Sequence, residues 1–274
     1  MVCLNFKRRC CGVVLAAFSL LPWLSCAAAE LRIGGTGNAL GTAKLLGAAF
    51  AKVNPDITPN VLPSIGTSGA IKAVPKKAID IGLSSRPLTD EEAKTGISAI
   101  EYARTPTIFV VHQAVKATEL SRQQVADIYA GKLGAWPDGT RIRPVLRQPG
   151  DDNTKQIKSL SADIEKALAS AEQQPGLAFA STDQEAVEKA ESVKGALVVS
   201  TLALIRSEER PLRALALDGV APTPENLKNG RYPLAKHFYF ILPKDPSTAA
   251  QSFVRFVQSE AGRRILESTG HIIP

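Results

Sequence analysis

The sequence predicts an α/β fold in two lobes, with a ligand cleft between them. Three observations carry this. From Leu31 onward, short apolar runs alternate with longer amphipathic stretches, the pattern of a parallel sheet with crossover helices. Three successive strands end in small, hydroxyl- and glycine-rich turns, Gly35-Thr36-Gly37-Asn38, Gly66-Thr67-Ser68-Gly69 and Ser84-Ser85-Arg86. After His112 the texture changes, and only the last strand and helix return toward the first lobe. A chain of 274 residues with 45% hydrophobic and 22% charged content can bury a real core in either lobe.

The first 29 residues are a separate object. Lys7, Arg8 and Arg9 give a basic start, and Cys10 to Leu24 is an apolar run of about 15 residues. A spanning helix needs about 20. Ala27-Ala28-Ala29 offers a small-residue cleavage site before Glu30, so 1–29 reads as a secretory signal peptide and the chain as periplasmic. A lipid anchor on Cys26 is the weaker expectation, because a lipobox calls for leucine three places before the cysteine and Trp23 stands there. All four cysteines (Cys3, Cys10, Cys11, Cys26) fall in this segment. The exported chain therefore uses neither disulfides nor thiolates. Three of the 33 basic residues leave with the leader, and 30 against 26 acidic gives +4. Such a mild, dispersed charge favours small anions and does not describe a nucleic-acid surface.

The elements follow in order. Leu31–Ile33 reads as a strand, and Gly41–Val53 as a helix with Leu45, Leu46, Ala49, Phe50 and Val53 on one side. Asn54-Pro55-Asp56 stops it. Thr58–Leu62 is a second strand, followed by the turn 63–69 and a short helix through Lys72–Lys76. Ile79–Leu83 is a third strand, and Thr89-Asp90-Glu91-Glu92 a capped helix start. Thr107–His112 is a buried strand. Leu120–Gly131 is a capped helix with a glycine stop, Trp136–Thr140 a turn, and Ile142–Arg147 a strand. Gln148–Thr154 is a polar turn and Lys155–Leu168 a helix. Ala178–Ala180 and Ala196–Val199 are later strands, Phe238–Leu242 another, and Thr248–Ser268 a closing helix. Lobe 1 is expected over 30–112 plus 236–274 and lobe 2 over 113–235, with a hinge near 112–114 and 232–237.

In sheets of this kind the ligand lies at the carboxyl ends of the strands. Each of the three turns is expected to open a helix, whose N-terminus offers free N–H groups and partial positive charge. Three converging on one sheet edge make an anion cradle. Thr36, Thr67, Ser68, Ser84 and Ser85 add hydroxyls; Arg86 and Arg147 add guanidinium groups. Each hydrogen bond to a charged group contributes roughly 1.5–3 kcal/mol, so about six would hold a small oxyanion at micromolar affinity or better.

Other chemistries fit less well. Thr36-Gly37-x-x-x-Gly41 looks like the start of a dehydrogenase fingerprint, and Tyr232 to Lys236 spells Y-x-x-x-K. Gly230 and Pro233 spoil a helix there, and Leu62-Pro63-Ser64 stands where the fingerprint needs an acidic residue. No two of His112, His237 and His271 are at metal-ligand spacing. Ser84-Ser85-Arg86 lacks the G-x-S-x-G elbow. The adjacent Asp151-Asp152 reads more simply as a solvated turn than as an acid/base pair. No enzyme, cofactor or metal is expected.

The chain resembles the periplasmic phosphate-binding proteins of ABC transporters, which have the type II periplasmic-binding fold. The matching pieces are G-G-T-G-N at 34–38, G-T-S-G-A-I-K at 66–72, D-I-G-L-S-S-R-P-L-T-D-E-E at 80–92, V-A-D-I-Y-A-G-K-L-G-A-W-P-D-G at 125–139, Arg147 with its polar turn, and G-R-Y-P-L at 230–234. The resemblance implies ligand contacts from Thr36, Gly37 and Asn38, from Thr67 and Ser68, from Ser85 with Arg86, and from Arg147. Asp152, Asn153 and Thr154 stand in place of the family's Ser-Gly-Thr turn. Two departures matter. Ser85 sits where some members carry an aspartate that accepts the ligand's proton. Asp151 and Asp152 bring carboxylates toward an anion, a repulsion of roughly 4 kcal/mol per unit charge at 4 Å and an effective dielectric of about 20. Three resolutions are open: one Asp accepts the ligand's proton, both cap the following helix and face away, or the ligand is not phosphate; capping by one and acceptance by the other is the favoured one.

The expectation is an exported monomer that captures an inorganic oxyanion, most simply phosphate, between its lobes and delivers it to a membrane ABC permease, with no nucleic-acid partner. The alternative is an exported sensor or interaction module of the same fold that has lost transport, with or without loss of anion binding.

Overall fold

The computed structural model describes Met1, Val2 and residues 28–274. The expectations about the leader and Cys26 rest on residues 3–27, which lie outside the described residues. Among the described residues no helix is long and apolar enough to cross a membrane.

The first half builds from β1 (Ala29–Gly35), α1 (Gly37–Val53), β2 (Ile57–Val61), α2 (Gly66–Ala73), β3 (Ile81–Ser84) and α3 (Asp90–Ala93). The long strand β4 (Ile97–His112) leads out of it. The second half holds β5 (Glu119–Leu120), α4 (Arg122–Tyr129), β6 (Arg143–Arg147), α5 (Asp152–Lys158), α6 (Ala162–Ala171), β7 (Ala178–Ala180), α7 (Asp183–Ser192), β8 (Ala196–Thr201) and α8 (Leu202–Ser207). β9 (Leu212–Ala214), β10 (Ala216–Leu217) and α9 (Pro224–Lys228) complete it. Then β11 (Ala235–Pro243), α10 (Thr248–Gln258) and α11 (Glu260–Ser268) rejoin the first half.

One sheet runs through both halves in the order β2-β1-β3-β11-β4-β8-β6-β7, with β9 also on β4. Its outer pairs are parallel: β1 with β2 and β3, β6 with β7 and β8. The pairs made by β4 and β11 are antiparallel. The sheet is therefore mixed, and less uniformly parallel than the strand–helix alternation predicts. Two strands produce this: β11, arriving from the far end of the chain, runs against β3 and β4, and β4 runs against β8 and β9.

β4 changes partner at one point. Pro106 pairs with Ala235 of β11, and Thr107 pairs with Thr201 of β8. That exchange falls five residues before the predicted end of the first segment at 112. Ile108 and Val110 face one side, Phe109 and Val111 the other, and all four are buried. Four apolar clusters result, one on each face of the sheet in each half. Alternation along a strand buried on both faces produces this arrangement. At 25–30 cal/mol per Å² such burial is the dominant favourable term.

The boundaries differ instructively. The glycine-rich stretch is helical from Gly37, so the turn there is only Gly35-Thr36. The helix predicted over 155–168 is two helices, broken at Ser161, which caps α6 by accepting from Ile164 N–H (3.2 Å). The closing helix is likewise split at Ser259, the cap of α11. Thr89 caps α3 in a capping box with Glu92, as its sequence indicated. However, α3 begins four residues past Ser85–Arg86, so two of the three cradle turns open helices at the cleft, not three.

Candidate functional site

The C-terminal ends of β1, β3, β6 and β7 meet at one cleft of about 500 Å³. The first half supplies three loops. Gly35 ends β1, and its carbonyl accepts from Ile65 N–H (3.2 Å) and from Ser64 Oγ (3.3 Å). Thr36 N–H donates to Leu83 O (2.9 Å), tying the first loop to β3. Thr67 Oγ1 accepts from Ser85 N–H at 3.0 Å, and the two hydroxyls share a further bond at 3.0 Å. Neither α1 nor α2 has a side-chain cap of its own. A helix N-terminus leaves its first-turn N–H groups without intrahelical acceptors; in α1 the Asn38 N–H donates to Asp183 Oδ2 (3.1 Å) and the Ala39 N–H to Thr36 O (3.2 Å).

Nine of the eleven predicted contact residues line this cleft: Thr36, Asn38, Thr67, Ser68, Ser85, Arg86, Arg147, Asp152 and Asn153. Gly37 and Thr154 do not. Gly37 packs under the second half, where an added Cβ would come within 2.8 Å of Asp183 Oδ2. Thr154 donates its N–H to Asp151 Oδ1 (3.3 Å) and borders a small neighbouring space beside Tyr129 and Leu146.

Arg147 stands at the end of β6 and is only 9% exposed. Its Nη2 lies 3.0 Å from Asp151 Oδ2 and 3.3 Å from Asp183 Oδ1. Its Nε and Nη1 are buried without a partner. Arg86 lines the cleft but is engaged elsewhere, in a two-pronged pair with Glu92 at 2.7 Å on each arm. That pair holds the Glu92 carboxyl down at about 2.

The two carboxylates of the polar turn have separate tasks. Asp151 caps α5, accepting from Asn153 N–H (3.0 Å) and Thr154 N–H (3.3 Å). Asp152 pairs with Lys236 at the start of β11. The Lys236 side chain is 0% exposed, while that of Asp152 is 29% exposed.

Two charged lining residues with no place among the predicted contacts matter most, Lys236 and Asp183. Lys236 was visible only inside Y-x-x-x-K. Asp183 follows Ser181-Thr182 at the end of β7, a fourth strand-to-helix turn of the same small hydroxyl type. That composition was the available signal. Thr182 caps α7 by accepting from Glu185 N–H (3.1 Å), which points Asp183 into the cleft. Burial pushes the Asp183 carboxyl above the usual carboxylate range, with Arg147 pulling against it.

A family model described as "PBP superfamily domain" matches residues 24–261. The chain belongs to the PBP superfamily. Within that superfamily it is similar to the phosphate-binding protein PstS of Borreliella burgdorferi, 25% identical over 76% of this chain and 77% of that one. It is also similar to the phosphate-binding protein PstS 2 of Streptococcus pneumoniae, 35% identical over 39% of this chain and 36% of that one. A solved structure of a candidate phosphate ABC transporter substrate-binding protein from Clostridium perfringens, with bound phosphate, shares the fold of this superfamily member. It superposes with a TM-score of 0.75 at 22% identity, covering 89% of this chain and 99% of that one.

Proposed function

We propose that this protein is an exported solute-binding subunit that captures phosphate in the cleft and hands it to a membrane ABC permease. The carrying observation is Arg147, buried with Nε and Nη1 unpartnered, in the wall of the same cleft as Thr67, Ser85 and the uncapped start of α2. A buried guanidinium with free N–H groups is a strong demand for an anion. The relatives named as phosphate-binding proteins support the same choice of anion. The ligand contacts are Thr36, Asn38, Thr67, Ser68, Ser85, Arg147 and Asn153, with Lys236 added and Arg86 held back by Glu92. The chain works as a monomer in the periplasm and makes or breaks no bond.

The lobes divide where β4 changes partner, at Pro106/Thr107, and where the chain re-enters β11, at Leu234/Ala235. Hinge closure about these two passages seals the ligand. The alternative, a module that has lost transport and anion binding, is not favoured, because it gives no reason to leave Nε and Nη1 of a buried guanidinium unpartnered.

Calorimetry on the exported form tests the reading. Phosphate should release or absorb heat with a 1:1 midpoint, and Arg147→Ala should weaken binding by at least about 100-fold, some 2.7 kcal/mol. The reading falls if phosphate, arsenate and sulfate all give no heat and no thermal stabilisation.

A further inference from the structure

Asp183 bridges the two halves across the cleft. Its Oδ2 accepts from Asn38 N–H, an N-terminal amide of α1, at 3.1 Å. Its Oδ1 accepts from Asn153 Nδ2 at 3.3 Å and lies 3.3 Å from Arg147 Nη2. One carboxylate oxygen is thus held by the first half and the other by the second. The neighbouring contacts reinforce the bridge: Gln184 Nε2 donates to Gly37 O (2.9 Å), and Thr201 Oγ1 donates to Asn38 Oδ1 (3.1 Å). Gly37 has no side chain at the point where Asp183 arrives.

The donors involved are of the kind an oxyanion seeks: a helix-start amide, a guanidinium and a side-chain amide. We propose that Asp183 is an endogenous ligand, a carboxylate of the chain itself that clasps the two halves and competes with an incoming oxyanion for the Asn38 amide and Arg147. This rests on the phosphate reading above, and makes Asp183 the residue that sets affinity. Two anions cannot share one donor set at hydrogen-bond distance without strong repulsion. A carboxylate kept ionised in a buried site is also held at a desolvation cost. Asp183 is therefore the anion that yields, while Asp151 stays fixed by the α5 amides it caps.

The test uses the exported chain and two variants. Asp183→Asn keeps the shape and an acceptor but removes the competing charge. Its phosphate Kd, by calorimetry, should fall at least tenfold. Asp183→Ala removes the clasp altogether. Without phosphate, the distance between one spin label on each half should lengthen relative to the parent chain. An unchanged or weaker Kd in Asp183→Asn overturns the proposal, and so does an unchanged distance in Asp183→Ala. If neither parent nor variants bind phosphate while Asp183→Ala still opens, the phosphate reading fails and the clasp stands.

Discussion

Lys236 and Asp152 form an ion pair whose two ends have unequal surroundings. The ammonium is enclosed, and the carboxylate reaches water. Stranding a buried charge costs about 3–5 kcal/mol, whereas a group with access to solvent can rehydrate. Asp152→Asn should therefore lower stability by several kcal/mol in urea unfolding, and Lys236→Met by no more than about 1–2 kcal/mol. Phosphate affinity should run the other way, with Lys236→Met losing about tenfold because a cation leaves the cleft wall. Equal stability losses would show that both ends are equally buried in solution. Lys236 and Asp183 were not legible as site residues for the same reason. Each reaches the cleft through an ion pair with a residue 84 or 36 positions away, a pairing that no local pattern announces, although the hydroxyl turn before Asp183 marks its strand end. Arg147 was legible because it ends an apolar strand directly before a polar turn.

At the scale of elements, α1 is the piece whose sequence and role diverge most. Glycine in a helix interior is destabilising by roughly 1 kcal/mol relative to alanine. Gly37 and Gly41 are nonetheless helical, and a side chain is excluded at both because Asp183 with Gln184, and Ser207 with Glu208, occupy the space it would need. Gly37→Ala should lengthen the phosphate-free distance between labels on the two halves, as Asp183→Ala does, with little change in melting temperature, because the added methyl would meet Gln184 and Asp183 of the other half. A parallel loss of melting temperature would locate the clash within one half instead. Strands buried on both faces, such as β3 and the second part of β4, were readable as continuous apolar runs. The first part of β4 was not, since Glu101 and Arg104 interrupt the pattern. The structure pairs them with each other at 2.6 Å on a half-exposed face, with Glu101 also bonded to His237 (2.7 Å). Helix breaks at Ser161 and Ser259 were legible in principle, because each is a cap residue ahead of an acidic first turn. Amphipathic periodicity simply runs through such a break.

For the molecule as a whole, acid stability has a separable signature. His271 is buried beside Leu266 and Thr269, with Nε2 unpartnered, and burial pushes its imidazole down to about 4. The folded value lies below the unfolded one, so the unfolded chain takes up the proton first. Stability is then lost as pH falls from about 6.5 to 4, by about 3 kcal/mol at most. Glu92 adds its loss only below about 4.5, toward 2, because its folded value is depressed by Arg86. His271→Asn should flatten the stability profile between pH 6.5 and 4.5 and leave the steeper fall below it, as read by urea midpoints across pH. The two chain passages between the halves are also sewn together. Thr107 N–H donates to Leu234 O (3.0 Å), Tyr232 Oη to Thr107 O (2.9 Å), and Gln156 Nε2 to Ala235 O (2.8 Å). Under the proposed closure, passages fastened side by side would give the halves one shared pivot in place of two independent tethers. A single measured length then describes the whole excursion. Every cysteine of the sequence precedes residue 30, so on a chain begun at Glu30 two engineered thiols would be the sole dye attachment points, and the phosphate proposed for the cleft could be read optically.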